Sequence, residues 1–309
     1  MSKIELRLSD VDPPLPDPKR TIYRDILNLP ATVLLGLTIR YFNHDDVGLY
    51  FQVTGSGTGY TFGTVNLGLL ASGADAYANL DEFASRAKPS ASDLPNGEKE
   101  ENITLILKAY TDSGYTNLKW TYERVVTVHW INSADAAFTV DELDNFDDGT
   151  VQGWAAANEL NAPFPSLGVA TDYVLSAPYS LKLSEGQRDG LQGYELRNRI
   201  YKSFTTPNKS KVFAIIDLRT SRYGTGDIYI WNKRVIIRRD TTVLVQIGYY
   251  DASETHRLPM DKWMRVVIPL PQNTTVEIQI AHSVYMWAYA SGYPAGGLLW
   301  IDDFKIVSK

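Results

Sequence analysis

The sequence Asn102-Ile-Thr-Leu-Ile-Leu-Lys-Ala-Tyr-Thr111 leads through a short polar segment, Asp112-Ser-Gly-Tyr115, into a second β-prone stretch, Leu118–Ile131. In the first stretch apolar side chains alternate with polar or smaller ones, which is the two-residue period of a half-buried strand. The Gly-containing segment suits the turn of a β-hairpin. These thirty residues therefore predict two paired strands and point to an all-β protein.

More strands are predicted on the N-terminal side of this hairpin, at Val33–Tyr41, Val47–Val53 and Tyr60–Leu70. Tyr77–Ala87 is ambiguous, because its apolar residues also fit helical spacing. Lys88–Glu101, rich in Pro, Ser, Asn and charge, is predicted to be a surface loop. Five or more strands within about 110 residues indicate an immunoglobulin-like or related β-sandwich at residues 31–135.

Residues 1–30 are predicted to form an extended arm. Four prolines lie between Pro13 and Pro18, and they remove backbone donors and favour a polyproline conformation. Terminal segments of this kind are usually poorly ordered unless something holds them. We expect the arm to pack either on its own domain or on another subunit, where it would make the contacts of a homo-oligomer or assembly.

The composition excludes several classes of protein. The 309 residues are 44% hydrophobic and 21% charged, enough for about two folded domains, so overall disorder is excluded. No apolar run is long enough for a membrane-spanning helix, and the first residues have no secretory signal pattern. We therefore expect a chain made in the cytoplasm and not inserted in a membrane.

The residue counts also bear on chemistry. The chain has no cysteine, which excludes disulfides, thiolate metal sites and cysteine nucleophiles. A net charge of −6 argues against nucleic-acid binding. One basic cluster, Lys233, Arg234, Arg238 and Arg239, is interpreted as the charged ends of a solvated strand, with an acidic partner as the alternative.

The residues after position 135 carry a resemblance to a known family. In Val140–Trp154, Phe146 is followed by two acids, a Gly turn and Trp154, and Trp263-Met-Arg-Val-Val-Ile-Pro-Leu270 has the pattern W-x-x-V-x-I-P-L. With Ser176–Leu183 and Leu298–Ile306, these pieces resemble, in order, the strands of the galactose-binding-like jelly rolls found among carbohydrate-binding modules. The resemblance covers residues 136–309 and implies a jelly-roll domain there.

The resemblance implies two kinds of site. The family often holds a structural calcium ion between an acid on the opening strand and an acid on the closing strand. In this sequence those acids would be Asp147 and Asp302, and hard carboxylate oxygens suit calcium. The alternative is that the Asp- and Gly-rich segment around Asp147 only forms a turn.

The second implied site is a curved sheet whose exposed aromatic residues stack on sugar rings. The candidates are Tyr229, Trp231, Tyr249, Tyr250, Tyr285, Trp287 and Tyr289. The last three have i, i+2, i+4 spacing, so a strand would place them on one face. That face is either a stacking platform or part of the core, because Tyr and Trp also fill sandwich interiors.

The sequence offers no catalytic motif. The four histidines occur singly and without zinc-binding spacing. Gly55-Ser-Gly-Thr-Gly59 is interpreted as a hairpin turn, because the phosphate-binding loop it superficially matches needs a following helix. We expect a non-catalytic building block of an assembly, such as a turret, spike or fibre on a virion or particle surface. The alternative is a carbohydrate-binding module, and a glycan-active enzyme stands third.

Overall fold

The computed structural model describes residues 3–8, 20–27, 29–160, 166–176, 178–184, 194–223, 227–247, 261, 263–288 and 296–309. The chain divides into two compact units, Met1–Ala136 and Ala137–Lys309. The described residues form β-strands, two single 3₁₀ turns and no α-helix, so the all-β prediction is confirmed. Within these ranges no helix has the length and hydropathy of a membrane span.

The described residues of the first unit form nine strands and the two 3₁₀ turns, Ala91–Asp93 and Pro95–Gly97. The strands are β1 Ile4–Leu8, β2 Arg20–Asp25, β3 Thr32–Asn43, β4 Leu49–Ser56, β5 Tyr60–Phe62, β6 Val65–Leu70, β7 Asp75–Ala87, β8 Glu98–Tyr110 and β9 Leu118–Ile131. They form two sheets, which we call sheet 1 (β1-β3-β7-β5) and sheet 2 (β2-β9-β8-β4-β6).

The core of the first unit lies between these two sheets. Alternate residues of β8, such as Ile103, Leu105 and Leu107, are fully buried and share one hydrophobic cluster with residues of β1 and β3. Burial of one face at a two-residue period fixes the register of each strand. The hairpin predicted from residues 102–131 is present, because β8 and β9 pair along almost their whole length.

The structure corrects the prediction of an extended arm at residues 1–30. β1 pairs with β3, and β2 pairs in parallel with β9, so both strands belong to sheets of the first unit. The prolines from Pro13 to Pro18 lie outside the described residues. The physical reason is visible in Ile4, Leu6 and Leu8, which alternate with polar residues and are buried in the core. Each of the two strands stands at the edge of its sheet.

Three further expectations for the first unit change. The ambiguous segment Tyr77–Ala87 is a strand, part of β7. The predicted loop Lys88–Glu101 ends early, because β8 begins at Glu98. The predicted strand Tyr60–Leu70 is two strands, β5 and β6, which enter different sheets, as do β3 and β4. The polar loop between them supports this crossing, since the Asn43 side chain donates to the carbonyls of Val47, Leu70 and Ala71.

In the second unit, the described residues form eleven strands. They are β10 Thr139–Asp144, β11 Ala155–Leu160, β12 Ser166–Ala170, β13 Ser180–Ser184, β14 Tyr194–Thr205, β15 Val212–Tyr223, β16 Asp227–Arg239, β17 Thr242–Ile247, β18 Met264–Leu270, β19 Thr275–Ala288 and β20 Gly296–Ser308. Sheet 3 has the order β12-β13-β20-β15-β18, with β10 also paired to β20, and sheet 4 has the order β11-β14-β19-β16-β17.

The two sheets of the second unit enclose one hydrophobic core. Phe146 and Trp154, from the segment that follows β10, are buried in it together with Phe304 of β20. The Trp154 and Phe304 rings meet edge to face at 5.3 Å. The first strand of the unit, β10, pairs with the last, β20. This is a two-sheet β-sandwich, as the resemblance implied.

Each unit also has a buried cluster of charged and aromatic side chains. In the first, which we call the Glu101 cluster, the Glu101 carboxylate accepts hydrogen bonds from Arg86, the Tyr60 hydroxyl at 2.9 Å and the Trp130 indole at 2.9 Å. The Arg86 guanidinium lies 5.1 Å from both the Tyr60 and Trp130 ring centroids. Burial raises the pKa of Tyr60 to about 12.

The second unit contains what we call the Asp144 cluster. Lys202 of β14 donates to both Asp144 oxygens, at 2.8 and 2.6 Å, and the Trp154 indole donates to Asp144 at 2.9 Å. Lys202 also lies 2.7 Å from a carboxylate oxygen of Glu142. Because Asp144 ends a strand of sheet 3 and Lys202 belongs to sheet 4, the cluster ties the two sheets together.

Candidate functional site

The outer face of sheet 4 is defined by the register of its central strand, β19. Val276, Ile278 and Ile280 are buried and belong to the core, so the positions between them form the opposite, outer rows. β19 pairs with β14 without a register shift from Thr275 to Met286. The outer face of β19 is therefore formed by positions 277, 279, 281, 283 and 285.

The predicted aromatic residues can be located against this register. Tyr285 of β19 is directly opposite Tyr229 of β16 on one side and opposite Glu195 of β14 on the other. Trp287 is two positions beyond Tyr285 in the same strand. The side chains of these residues, like those of Trp231, and the whole of Tyr249, Tyr250 and Tyr289 lie outside the described part of the structure. Their role as sugar-binding residues stays a prediction.

A β-bulge interrupts β16 at Trp231. The register passes from Ile230 opposite Val284 to Asn232 opposite Ser283, so Trp231 is the extra residue without a direct partner. A bulge reverses the alternation that follows it. The i, i+2 relation between Tyr229 and Trp231 in the sequence therefore does not by itself put the two positions in the same row.

The described side chains of the outer rows are polar and aromatic. Tyr201 of β14 is opposite Gln279, and Ser203 is opposite Glu277. The Arg199 guanidinium lies 5.6 Å from the centroid of the Tyr201 ring, and the Gln279 amide donates to the Glu277 carboxylate. The face thus combines an aromatic ring with planar hydrogen-bonding groups, the set of side chains that can recognise a polyhydroxylated ligand.

The middle of this face is buried. Ile236, Gln279 and Ala281 are 1 to 3% exposed, whereas Arg199 and Tyr201 beside them are partly exposed. Of the described side chains of these rows, Arg238, opposite Glu277, was singled out from the sequence as part of the basic cluster, and the others were not. The signal that could have found them is the alternation in β14, where Arg199, Tyr201 and Ser203 separate the buried Ile200 and Phe204.

The two predicted calcium ligands have different surroundings. Asp302 of β20 is fully buried and accepts hydrogen bonds from the Leu175 and Ser176 amides and from the Ser176 hydroxyl. Asp147 is exposed and accepts a hydrogen bond from the Asn145 side chain at 2.7 Å. Donors thus surround Asp302, which does not fit a calcium ligand set.

Among the described residues, no group of three or more His, Asp or Glu side chains could hold a metal ion. Calcium binding through Asp147 and Asp302 stays a prediction of the sequence. The donors around Asp302 instead hold the segment before β13 against β20. Of the basic cluster, Arg238 is partly exposed and Arg239 exposed, while the side chains of Lys233 and Arg234 lie outside the described set.

Comparisons with known proteins give matches among solved structures. No protein-family model and no curated protein matches the sequence. A family 61 carbohydrate-binding module in complex with β-1,4-galactotriose is 12% identical, with a TM-score of 0.32, over 52% of this chain and 92% of that one. A module described for specific mannan recognition is 9% identical, with a TM-score of 0.30, over 56% and 98% of the two chains.

A third match is the family 11 carbohydrate-binding module of a cellulosomal cellulase of Clostridium thermocellum. It is 11% identical, with a TM-score of 0.31, over 54% of this chain and 95% of that one. Solved carbohydrate-binding jelly rolls therefore match about half of the chain, as the resemblance in the sequence implied. The likeness concerns the β-sandwich fold, and what those modules bind is a property of those proteins.

Proposed function

We propose that the chain is a non-catalytic carbohydrate-binding protein whose second unit holds a glycan on the outer rows of sheet 4. The observation that carries the proposal is the unshifted register of β19, in which positions 276, 278 and 280 belong to the core rows. An unbroken two-residue period then assigns position 285 to the outer rows, and Trp287 follows as the extra residue of a bulge, because Asp227 is opposite Ala288 and Ile228 is opposite Met286. This favours the stacking platform over the core for Tyr285, and the role of Trp287 beside it stays a prediction of the sequence.

The chemistry of the described neighbours supports the same ligand class. Tyr201 offers an aromatic ring, and Arg199, Glu277 and Gln279 offer donors and acceptors in neighbouring rows. Sugar rings present apolar C–H faces and hydroxyl edges, so one ligand can use both kinds of group.

Glycan binding is preferred to a structural role on a particle or virion surface because of β1 and β2. The assembly hypothesis relied on residues 1–30 reaching another subunit. Residues 4–8 and 20–25 pair with strands of their own unit, so one side of each strand is already used there. Nothing else in the described residues identifies an assembly contact.

The proposal is tested by affinity electrophoresis of the full chain through gels that contain soluble xylan, galactomannan, galactan or hydroxyethylcellulose. The wild type should be retarded by at least one of them. Trp287→Ala should weaken binding about tenfold, since a lost stacking contact is worth about 1.4 kcal/mol.

The matched control is Tyr173→Ala, which removes a tyrosine of the second unit that is 44% exposed and lies outside sheet 4. This variant should bind like the wild type. Wild-type protein that no polysaccharide retards would refute the proposal, and so would equal binding by Trp287→Ala and the wild type.

A further inference from the structure

A second group of aromatic residues lies on the first unit, on the outer side of sheet 2. Tyr50 of β4 is directly opposite Tyr110 of β8, and the Tyr115 ring packs edge-on against both, with centroid distances of 6.3 and 5.6 Å. Tyr50 and Tyr115 are partly exposed, and Tyr110 is 7% exposed beneath them. We call these three residues the tyrosine face.

The register extends the tyrosine face into a row across four strands. Leu69 of β6 is opposite Tyr50, and Leu118 of β9 is opposite Tyr110. Both leucines are more than half exposed, at 61% and 53%. With strands about 4.8 Å apart, the row is roughly 14 Å long.

Tyr115 is held in place by its loop. Its φ of 55° is in the left-handed region, which a bulky side chain rarely adopts. The Asp112 carboxylate fixes the loop by accepting hydrogen bonds from the Thr116 amide and hydroxyl, at 3.1 and 2.9 Å, and from the Asn117 amide, at 2.6 Å. The ring is therefore preorganised, which lowers the entropic cost of binding to it.

The next row of the sheet is polar. Gln52 is opposite Asn66 and Lys108, and Lys108 is opposite Thr121. The Gln52 amide donates to Asn66 at 2.8 Å and its carbonyl accepts from the Tyr110 hydroxyl at 3.2 Å. The charges of Lys108 and Asp112 balance, so the surface has no net charge to attract an ionic ligand.

We propose that the tyrosine face and this polar row form a second binding site, specific for an uncharged oligosaccharide. The two rows cover roughly 14 by 7 Å, on the order of 100 Å². A stable protein interface needs about 800 Å² on each partner, so the patch is too small to be one by itself. Aromatic rings beside neutral amides and hydroxyls fit the C–H faces and hydroxyl groups of sugars. The second site takes the same class of ligand as the proposed function, but it is formed by residues of sheet 2 and not by those of sheet 4.

The experiment uses the full chain and the same polysaccharide gels. Tyr115→Asn removes the ring and keeps a residue that tolerates positive φ, and it is combined with Tyr50→Ala. Glu123→Gln, an exposed change elsewhere on sheet 2, is the matched control. Thermal unfolding establishes that each variant is folded, and a variant that is not folded is replaced by Tyr115→Asn alone.

In a Trp287→Ala background, the tyrosine-face variant should lose the remaining retardation by at least tenfold, and the control should lose none. Complete loss of binding in Trp287→Ala alone would overturn the second site and leave the proposed function standing. Full binding by Trp287→Ala that disappears in the tyrosine-face variant would overturn the proposed function and leave the second site standing. A tyrosine-face variant that changes only the sedimentation coefficient would identify a protein contact and overturn the proposal.

Discussion

The Glu101 cluster of the first unit and the Asp144 cluster of the second contain the same kinds of side chain, but the pKa values of their carboxylates shift in opposite directions. Each has a buried carboxylate that accepts from an indole, Trp130 or Trp154, and from a cation, Arg86 or Lys202. Burial is the largest single influence on both carboxylates, and by itself it would raise both pKa values. For Glu101, hydrogen bonds from Arg86, Lys99 and Tyr60 outweigh it, and its pKa falls.

Asp144 shows the opposite result. Burial raises its pKa, and neither the Lys202 ammonium nor the Trp154 indole reverses this, while the nearby Glu142 charge adds to it. Burial also acts to lower the pKa of Lys202, but its hydrogen bonds to Asp144 and Glu142 raise it overall. The comparison teaches that the presence of a cation does not by itself decide whether a carboxylate's charge is favoured, because burial, the donors and a neighbouring acid act together.

The largest change in stability is expected from Lys202→Met. It removes the cation but keeps most of the side-chain volume, and leaves Asp144 buried with the Trp154 indole as its remaining described donor. We expect the free energy of unfolding to fall by about 3 kcal/mol at pH 7, because an unpaired buried charge is costly. Calorimetry of the full chain measures the loss, and hydrogen exchange should locate it in β10 and β14.

The control for this change is Lys209→Met, which alters an exposed lysine just beyond β14 and should change stability by less than about 0.5 kcal/mol. The loss in Lys202→Met should shrink at acid pH, where Asp144 takes up a proton. An equal loss in both lysine variants would contradict the role given to the Asp144 cluster.

A smaller effect is expected from Glu101→Gln. The glutamine retains one acceptor oxygen but no charge, so Arg86 keeps its aromatic contacts and loses its ion pair. We expect a destabilisation of about 2 kcal/mol, detected by urea unfolding and by faster hydrogen exchange in β7 and β8. Glu123→Gln, on the exposed side of β9, provides the baseline. If Glu101→Gln destabilised the protein more than Lys202→Met does, the expectation that the Asp144 cluster contributes more to stability would be contradicted.

The smallest effect is the pH dependence of that loss. Because the folded-state pKa of Glu101 is below its ordinary value of 4.5, its stabilisation is complete above that pH and disappears as the pH falls through the folded-state value. The stability difference between wild type and Glu101→Gln should therefore shrink between pH 7 and pH 3. Asp144 has the opposite sign, since its raised pKa favours the folded state as the pH falls. A difference that grows on acidification would refute the assignment.

The sequence predicts the strands of this protein better than their partners. Leu118–Ile131 is a strand with the predicted bounds, because alternation is a local property. That β3 and β4 enter different sheets, and that β2 pairs with β9, depends on contacts between distant residues. The buried Asn43 that bridges three carbonyls has no local signature.

The candidate site divides in the same way. The i, i+2 spacing of Tyr285 and Trp287 is readable in the sequence, but the choice between core and platform needed the register of β19 against known core residues. The bulge at Trp231 was not predictable, because nothing nearby in the sequence distinguishes an extra residue from a regular one. Tyr50 is far from Tyr110 and Tyr115 in the chain, and only the pairing of β4 with β8 brings it to them.

The strand order has a consequence for synthesis on the ribosome. β2 pairs with β9, the last strand of the first unit, and β20, the last strand of the second unit, pairs with β10, β13 and β15. Neither unit can complete its sheets until its final strand has emerged, and such distant pairings fold slowly. While each unit waits, its half-built sheets present unpaired edges. The first unit can complete its sheets while the second is still being translated. The unpaired edges of the two units are therefore exposed one after the other.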